Sequence, residues 1–419
     1  MSMISYDDAL AIVLTHARQS ATQKLPLLDA LDKIAACDVQ SLIQVPSFRN
    51  SAMDGFAVVS SQLDSASESN PITLEVTSAI AAGDDVATAD AAKAVQIMTG
   101  AAVPEPYDAV IPVEMVAHVD SEVTFTKPPR QGDHIRHAGE DVALGQCILR
   151  KGERITPEII MLLSAVGICE VEVMRLSRLH ILSTGNEISD DYAVPLKGSQ
   201  IYNSNAPYLL AAARQQSLEA QYEGIVRDEP ALFEAKLTAI TEPAIIISTG
   251  AVSKGVWDFI PDSLKKLGAT IHFHRVNIRP GKPVLFATLP NGSYYFGLPG
   301  NPISAAIGFS FFVMPLVRAL HCIAQPALLT AKLAGSFTKK GNFLQFLKAA
   351  LAVDADGQLI ADISEGQESF KISPMAANNA WVVLDGAKNQ WSAGDTVVVI
   401  PYGEIIPNTR REAAVCQAA

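Results

Sequence analysis

The chain has 419 residues, 49% apolar and 18% charged, too many for one hydrophobic core, since single cores stop growing near about 250–300 residues; three or four domains are expected. A formal net charge of −12 without a dense Lys/Arg stripe excludes a nucleic-acid surface, because the overall field repels polyanions. The five cysteines stand far apart with no CxxC pair, which excludes a disulfide framework or structural zinc, and Asp7 and Asp8 stand where a secretory leader carries positive charge, so a cytoplasmic protein is expected.

In chain order, residues 5–19 carry an amphipathic helical pattern, and a second helical stretch is expected over 25–36, ahead of the loop at Pro46. From 46 to 141 short β-rich runs (72–80, 94–98, 109–112, 122–126) alternate with Gly, Pro and Asp clusters, which predicts a β-rich inserted domain. Residues 1–45 and 142–175 then form a mixed α/β linker domain around it. Thr156, Pro157 and Glu158 supply a cap, a first-turn proline and an acidic first turn for a helix that Gly167 ends.

Over 176–325 strands alternate with helices: 179–183 then 208–216, 244–248 then 259–267, 294–298 then 303–320. Such alternation predicts a central, mainly parallel α/β sandwich. The apolar run 303–320 contains Pro315 and Arg318 and reads as a buried helix, so no membrane contact is expected. Residues 326–411 show short strands with turn signals such as Asp356-Gly357 and no convincing helix, a C-terminal β-barrel or sandwich.

In open α/β sheets ligands bind beyond the carboxyl ends of the strands. Three such ends carry glycine loops with hydroxyl or amide groups: Ser183-Thr184-Gly185-Asn186-Glu187; Ser248-Thr249-Gly250-Ala251-Val252-Ser253; and Pro299-Gly300-Asn301-Pro302-Ile303-Ser304. Glycine lets a backbone approach a ligand closely, and helix N-termini favour anions. One such loop is as readily a tight turn; three on one sheet edge describe an oxyanion pocket. In the run 275–283, strand alternation would put Arg275 and Arg279 on one face and the Pro-Gly turn would bring Lys282 near them, cations suited to tetrahedral oxyanions or, more plainly, solvated edge charges. Glu187, Asp228 and Asp258 punctuate the same region, and carboxylates among phosphate-binding groups commonly hold Mg²⁺; Glu187 and Asp258 are the expected metal ligands, while Asp228 is equally a loop or capping residue.

Pro46 to Ala57 (PSFRNSAMDGFA), Ile97-Met98-Thr99-Gly100-Ala101, Asp108 to Pro112, Gly139-Glu140-Asp141, the Thr-Gly-Asn-Glu loop, Pro280-Gly281-Lys282-Pro283 and Leu298-Pro299-Gly300-Asn301-Pro302 together resemble the molybdopterin molybdenumtransferase family, which includes the bacterial MoeA proteins and the E domains of gephyrin and its plant counterpart. The resemblance implies a four-part homodimer whose central domain is related to the molybdopterin-adenylating enzyme. It implies a Mg²⁺-dependent reaction in which molybdate delivers molybdenum to adenylylated molybdopterin and AMP is released, with that adenylyltransferase and molybdoenzyme acceptors as further partners. By motif, Asp54, Thr99 and Asp141 are implied to complete the partner subunit's site, Glu187, Asp228 and Asp258 to be its acidic residues, and Ser248, Ser253, Arg279, Lys282 and Ser304 to contact phosphate or molybdate. Lys348 and Ser373 are implied less directly. The chain departs from the family pattern at Ala251, where glycine is usual and a left-handed backbone would cost about 1–2 kcal/mol. It departs also at Asn203 (usually Asp), Arg279 (usually Lys), Lys254, Val256 and Phe56. Two other readings share the fold: a dimeric scaffold with little turnover, and a nucleotide pyrophosphatase of the competence-damage-inducible type.

Overall fold

The computed structural model describes residues 3–85, 89–251 and 259–407. The chain divides into two compact units, residues 24–173 and residues 1–23 with 174–419. Helix α1 (Tyr6–Thr15) is capped by Ser5 and buries Ala9 and Val13 in the second of these, in the cluster that also holds the helix at 314–320. The expected grouping of 1–45 with 142–175 therefore loses its first helix, because one apolar stripe can be buried in only one core.

In the unit 24–173, the helix expected over 25–36 is absent. A strand at Thr22–Pro26 gives way to one 3₁₀ turn at Leu27–Ala30. That turn buries Leu27 and Ala30, and the buried Ile34, Ala35 and Ala36 follow outside any helix, with the Asp32, Ala35 and Ala36 N–H groups donating to the carbonyls of Ile155, Glu153 and Glu172. The apolar spacing thus served one turn, and tertiary backbone pairing took the rest. Strands β1 (Gly55–Val58), β2 (Ile72–Ile80), β3 (Ala94–Ile97), β4 (Ala109–Pro112), β5 (Ala117–Val119) and β6 (Glu122–Phe125) form a six-stranded sheet in the order β4-β1-β3-β2-β6-β5. Phe56 and Val58 enter one core and Ala57 the other, as period-two alternation requires. A Cβ on Gly55 would lie 2.1 Å from the Ile111 carbonyl oxygen, so only glycine allows β1 and β4 to meet there. Helix α2 (Pro157–Ala165) begins as expected, with the Thr156 hydroxyl accepting from the Ile159 N–H, and Gly167 follows at φ +80°.

The other unit holds a six-stranded sheet built from β7 (Leu179–Thr184), α3 (Asn205–Gln215), β8 (Ala220–Val226), α4 (Pro230–Ala239), β9 (Ile245–Thr249), α5 (Ile260–Lys266), β10 (Thr270–Phe273), β11 (Leu285–Thr288) and β12 (Tyr294–Leu298). The order is β8-β7-β9-β12-β11-β10, the first four strands parallel and the last two antiparallel. The rod α6 (Pro302–Gly308), a π-helical turn (Phe309–Val313) and α7 (Met314–Leu320) pack with α1 and α3 on one face; α4 and α5 cover the other. The 19-residue rod is 83% buried, the core helix its interruptions suggested. Sequence patterning missed β8, α4, β10 and β11; α4 buries only Phe233 and Leu237, too little for a clear stripe. The expected strand 275–279 shrinks to Ile278–Arg279, because the Ile278 N–H turns back to the Val276 carbonyl and breaks the alternation.

The terminal region closes a five-stranded barrel from β13 (Leu329–Leu333), β14 (Leu344–Val353), β15 (Leu359–Ile363), β16 (Ala380–Leu384) and β17 (Thr396–Pro401), in the cyclic order β14-β15-β13-β17-β16. One helical turn, Ser373–Ala376, is added to the expected strands.

Candidate functional site

The carboxyl ends of β7, β9 and β12 stand at one level. Register pairs Ser183 with Thr249 and Thr249 with Leu298. All three glycine loops therefore leave the same edge, and they touch. The Thr184 hydroxyl donates to the Thr249 carbonyl at 3.0 Å, and the Gly250 N–H donates to the Leu298 carbonyl at 3.0 Å. A Cβ on Gly250 would stand 2.4 Å from the Thr184 carbonyl oxygen, and one on Gly300 would stand 3.7 Å from the Gly250 Cα. The glycines are thus what allows three backbones to converge. Gly185 is needed for another reason: its φ of +143° is a backbone conformation that residues with a Cβ rarely adopt.

Two buried polar atoms in this convergence have no partner among the described residues. They are the Thr249 hydroxyl and the Asn205 side-chain oxygen, whose amide nitrogen donates to the Gly300 carbonyl at 2.8 Å. Orphan groups at a loop junction are what a water or an oxygen-rich ligand would satisfy. Ser248 instead turns its hydroxyl into the core, 2.5 Å from that of Tyr295, and is fully buried. Asn186 and Asn301 are exposed, Pro299 is buried, and Pro302 opens α6 with Ser304 buried in its first turn. The Ile303 N–H already donates to the Ser369 carbonyl of the terminal region at 3.1 Å.

The carboxylates gather at the β7–β8 end. Asp228 is pushed above the usual carboxylate range by burial and then by the charge of Glu187, opposed by the Asn186 N–H. Neither carboxylate has an ion-pair partner among the described residues. Asp258 and Ser253, with Lys254 and Val256, lie outside the described residues. Arg279 and Lys282 are exposed and Arg275 half-buried; Arg279 stands 5.5 Å from the Phe343 ring centroid, and Gly281 packs against the Ser304 carbonyl, which sets the Pro-Gly turn beside the first turn of α6.

Sequence reasoning missed a polar network beneath the first loop. The Asn203 amide nitrogen reaches the Ser183 hydroxyl (2.9 Å), the Asp190 carboxylate (2.8 Å) and the Tyr222 hydroxyl (2.9 Å), while Tyr222 donates to the other Asp190 oxygen at 2.6 Å. The Asn203 oxygen accepts the Ala206 N–H at 3.2 Å. Here a carboxylate is supplied from position 190. The signal was the unusual Asn203 itself.

In the unit 24–173, Asp54 accepts both the backbone N–H (2.6 Å) and the hydroxyl (2.8 Å) of Thr99, and these bonds hold its carboxyl below the usual range. Asp141 is exposed, its N–H donating to the Val45 carbonyl at 3.0 Å. In the barrel, Lys348 is fully buried and its ammonium donates to the carbonyls of Gly366, Glu368 and Lys371; burial lowers its pKa. That lysine holds the segment bearing Ser369. Ser373 begins the adjoining helical turn.

Three family profiles match in order: the MoeA N-terminal region (domain I and II) over 4–167, a probable molybdopterin binding domain over 180–319, and the MoeA C-terminal region (domain IV) over 330–402. The molybdopterin molybdenumtransferase of Haemophilus influenzae is 34% identical over 411 residues, covering 96% of this chain and all of that one. The protein of the same name from Bacillus subtilis is 34% identical, covering 95% of this chain and 94% of that one. The crystal structure of a molybdopterin biosynthesis MoeA protein from Pyrococcus horikoshii superposes with a TM-score of 0.83 at 25% identity, covering 96% of this chain and all of that one.

Proposed function

The chain belongs to the molybdopterin molybdenumtransferase family, and from that membership and its converging glycine loops we propose that it inserts molybdenum from molybdate into adenylylated molybdopterin, releasing AMP. It acts as a transferase of molybdenum cofactor biosynthesis, in the cytoplasm and as a homodimer. The observation that carries the chemistry is the junction of the loops at Thr184, Gly250 and Gly300, with two orphan polar atoms beneath it. Molybdate and the pyrophosphate bridge are both tetrahedral oxyanions, which backbone N–H groups, hydroxyls and the nearby Arg279 and Lys282 would bind and orient.

Glu187 and Asp228 suit Mg²⁺: they are hard oxygen donors, and burial followed by the Glu187 charge raises the Asp228 pKa. Bound there with Asp258, the ion would neutralise phosphoryl charge and ease departure of AMP. Asp54, with its anionic form stabilised by Thr99, and Asp141 are proposed to complete the site of the second subunit. The adenylyltransferase that makes the substrate and the acceptor molybdoenzymes are proposed as transient partners.

The test is AMP release from adenylylated molybdopterin with Mg²⁺, with and without molybdate, by the wild type and Glu187→Ala. Molybdate-dependent release that disappears in the variant supports the reading. Tight substrate binding without release would favour the idle scaffold, and neither binding nor release would overturn the assignment.

A further inference from the structure

Beside α1, α3, the α6–α7 rod and strands β16 and β17 lies a cavity of about 560 Å³. Its wall is largely aromatic and aliphatic, with Tyr6, Leu10, Tyr208, Phe311, Trp381 and Tyr402 among the lining side chains. It is a cleft partly open to solvent, with Leu328 exposed at its rim, and concave, largely apolar clefts of this size are the usual form of a small-ligand site.

The backbone along its wall is unusual. Phe309–Val313 is a π-helical turn, and Phe309, Ser310 and Phe311 line the cavity. Such turns inside helices occur often at functional sites. Pro315 has no N–H to offer the preceding turn, and the Phe311 carbonyl accepts the Tyr6 hydroxyl instead, at 3.4 Å.

Tyr6, Gln325 and Tyr402 on the wall donate to the carbonyls of Phe311, Pro315 and Met375, which leaves two donors there without a partner among the described residues. Arg318 is the one charged side chain among the described lining residues; it is half-buried, and no carboxylate among the described residues pairs with it. Trp381 is fully buried, and its indole N–H has no acceptor. A buried donor and an unpaired cation, with no acid on the wall, are complementary to an acceptor-rich anionic head, and the aromatic surface to an apolar body.

We propose that this cavity is a second binding site, separate from the sheet edge, which takes a small amphiphilic monoanion whose carboxylate or similar head pairs with Arg318 while its hydrocarbon body fills the aromatic wall. The Trp381 N–H is the neutral donor available to the same head. No covalent step is involved, and occupancy is independent of molybdate.

Calorimetric titration of the full-length protein with decanoate, below its micelle concentration, tests this directly. One saturable site is expected, weakened about tenfold or more in Arg318→Gln, as loss of a charge-assisted contact predicts, and retained better in Arg318→Lys. Ala212→Trp, which puts bulk into the cavity wall, should abolish binding, and decanol should bind at least about tenfold more weakly than decanoate. Circular dichroism and AMP release without amphiphile should match the wild type in both Arg318→Gln and Ala212→Trp. Absence of saturable binding, equal affinity in Arg318→Gln, undiminished binding in Ala212→Trp, or decanol binding as tightly as decanoate would each overturn the proposal.

Discussion

Glu187 and Asp228 follow the ends of the neighbouring parallel strands β7 and β8, close enough for their charges to interact, and Asp228 carries the consequence: burial and the Glu187 charge hold its carboxyl above the usual range. A group whose folded pKa is raised binds its proton more tightly in the folded state. For an acid this subtracts stability above that pKa, and the loss is recovered as pH falls through it. Glu187→Gln should therefore bring the Asp228 titration down, seen by carboxyl NMR, and should raise the melting temperature at neutral pH more than in acid. A melting difference that does not change with pH would contradict the coupling. If Mg²⁺ binds the pair, millimolar Mg²⁺ should lower the wild-type Asp228 pKa as well.

Ala251 sits at φ +49°, the left-handed region in which a Cβ is strained. Replacing it with glycine should stabilise the protein by about 0.5–1 kcal/mol, the relief of strain exceeding the added freedom of the unfolded chain. Urea unfolding measures this, and a destabilised Ala251→Gly would show that packing against the α4–α5 layer outweighs the strain.

Asn203 donates toward Asp190 in a buried network, so Asn203→Asp would set two carboxylates about a hydrogen bond apart. Repulsion and desolvation should cost about 2 kcal/mol at neutral pH, less as pH falls and one carboxyl takes a proton. Adding Asp190→Asn should restore most of the loss, because the pair then again holds one carboxylate and one amide. Thermal melts of the four proteins across pH give the coupling, and additive effects would sink it.

Gly250→Ala places a methyl against the Thr184 carbonyl in a backbone at φ +97°. A loss of about 3 kcal/mol or more is expected, with AMP release falling further than stability explains, since the loops must part. Activity equal to wild type would mean that their convergence is unnecessary for the reaction.

The candidate site was legible wherever chemistry follows from local residue choice. Thr184-Gly185-Asn186-Glu187 and Pro299-Gly300-Asn301-Pro302 announce themselves because close backbone approach demands glycine and helix starts favour proline. Asp190 and Tyr222 did not, since they come from a loop and from a half-buried strand with no strong period, and matter only through Asn203. Ser248 sits in a glycine-rich loop motif yet turns to Tyr295, because strand alternation sends it to the α4–α5 side. The 25–36 stretch failed for a related reason: its apolar spacing fits one turn of helix, while Ala35 and Ala36 find backbone partners in distant strands.

By itself the sequence determined the class of the protein: the alternation of strand and helix over 176–325, the β-rich regions around it and the motifs that mark the family, all consequences of local periodicity and turn chemistry. Only the tertiary structure decided that α1 joins the central core, that the three loops touch at Gly250, that Glu187 raises the pKa of Asp228, and that Arg318 faces a cavity without an acid. These are distances between residues far apart in the chain, fixed by strand register and layer packing, which no local pattern encodes.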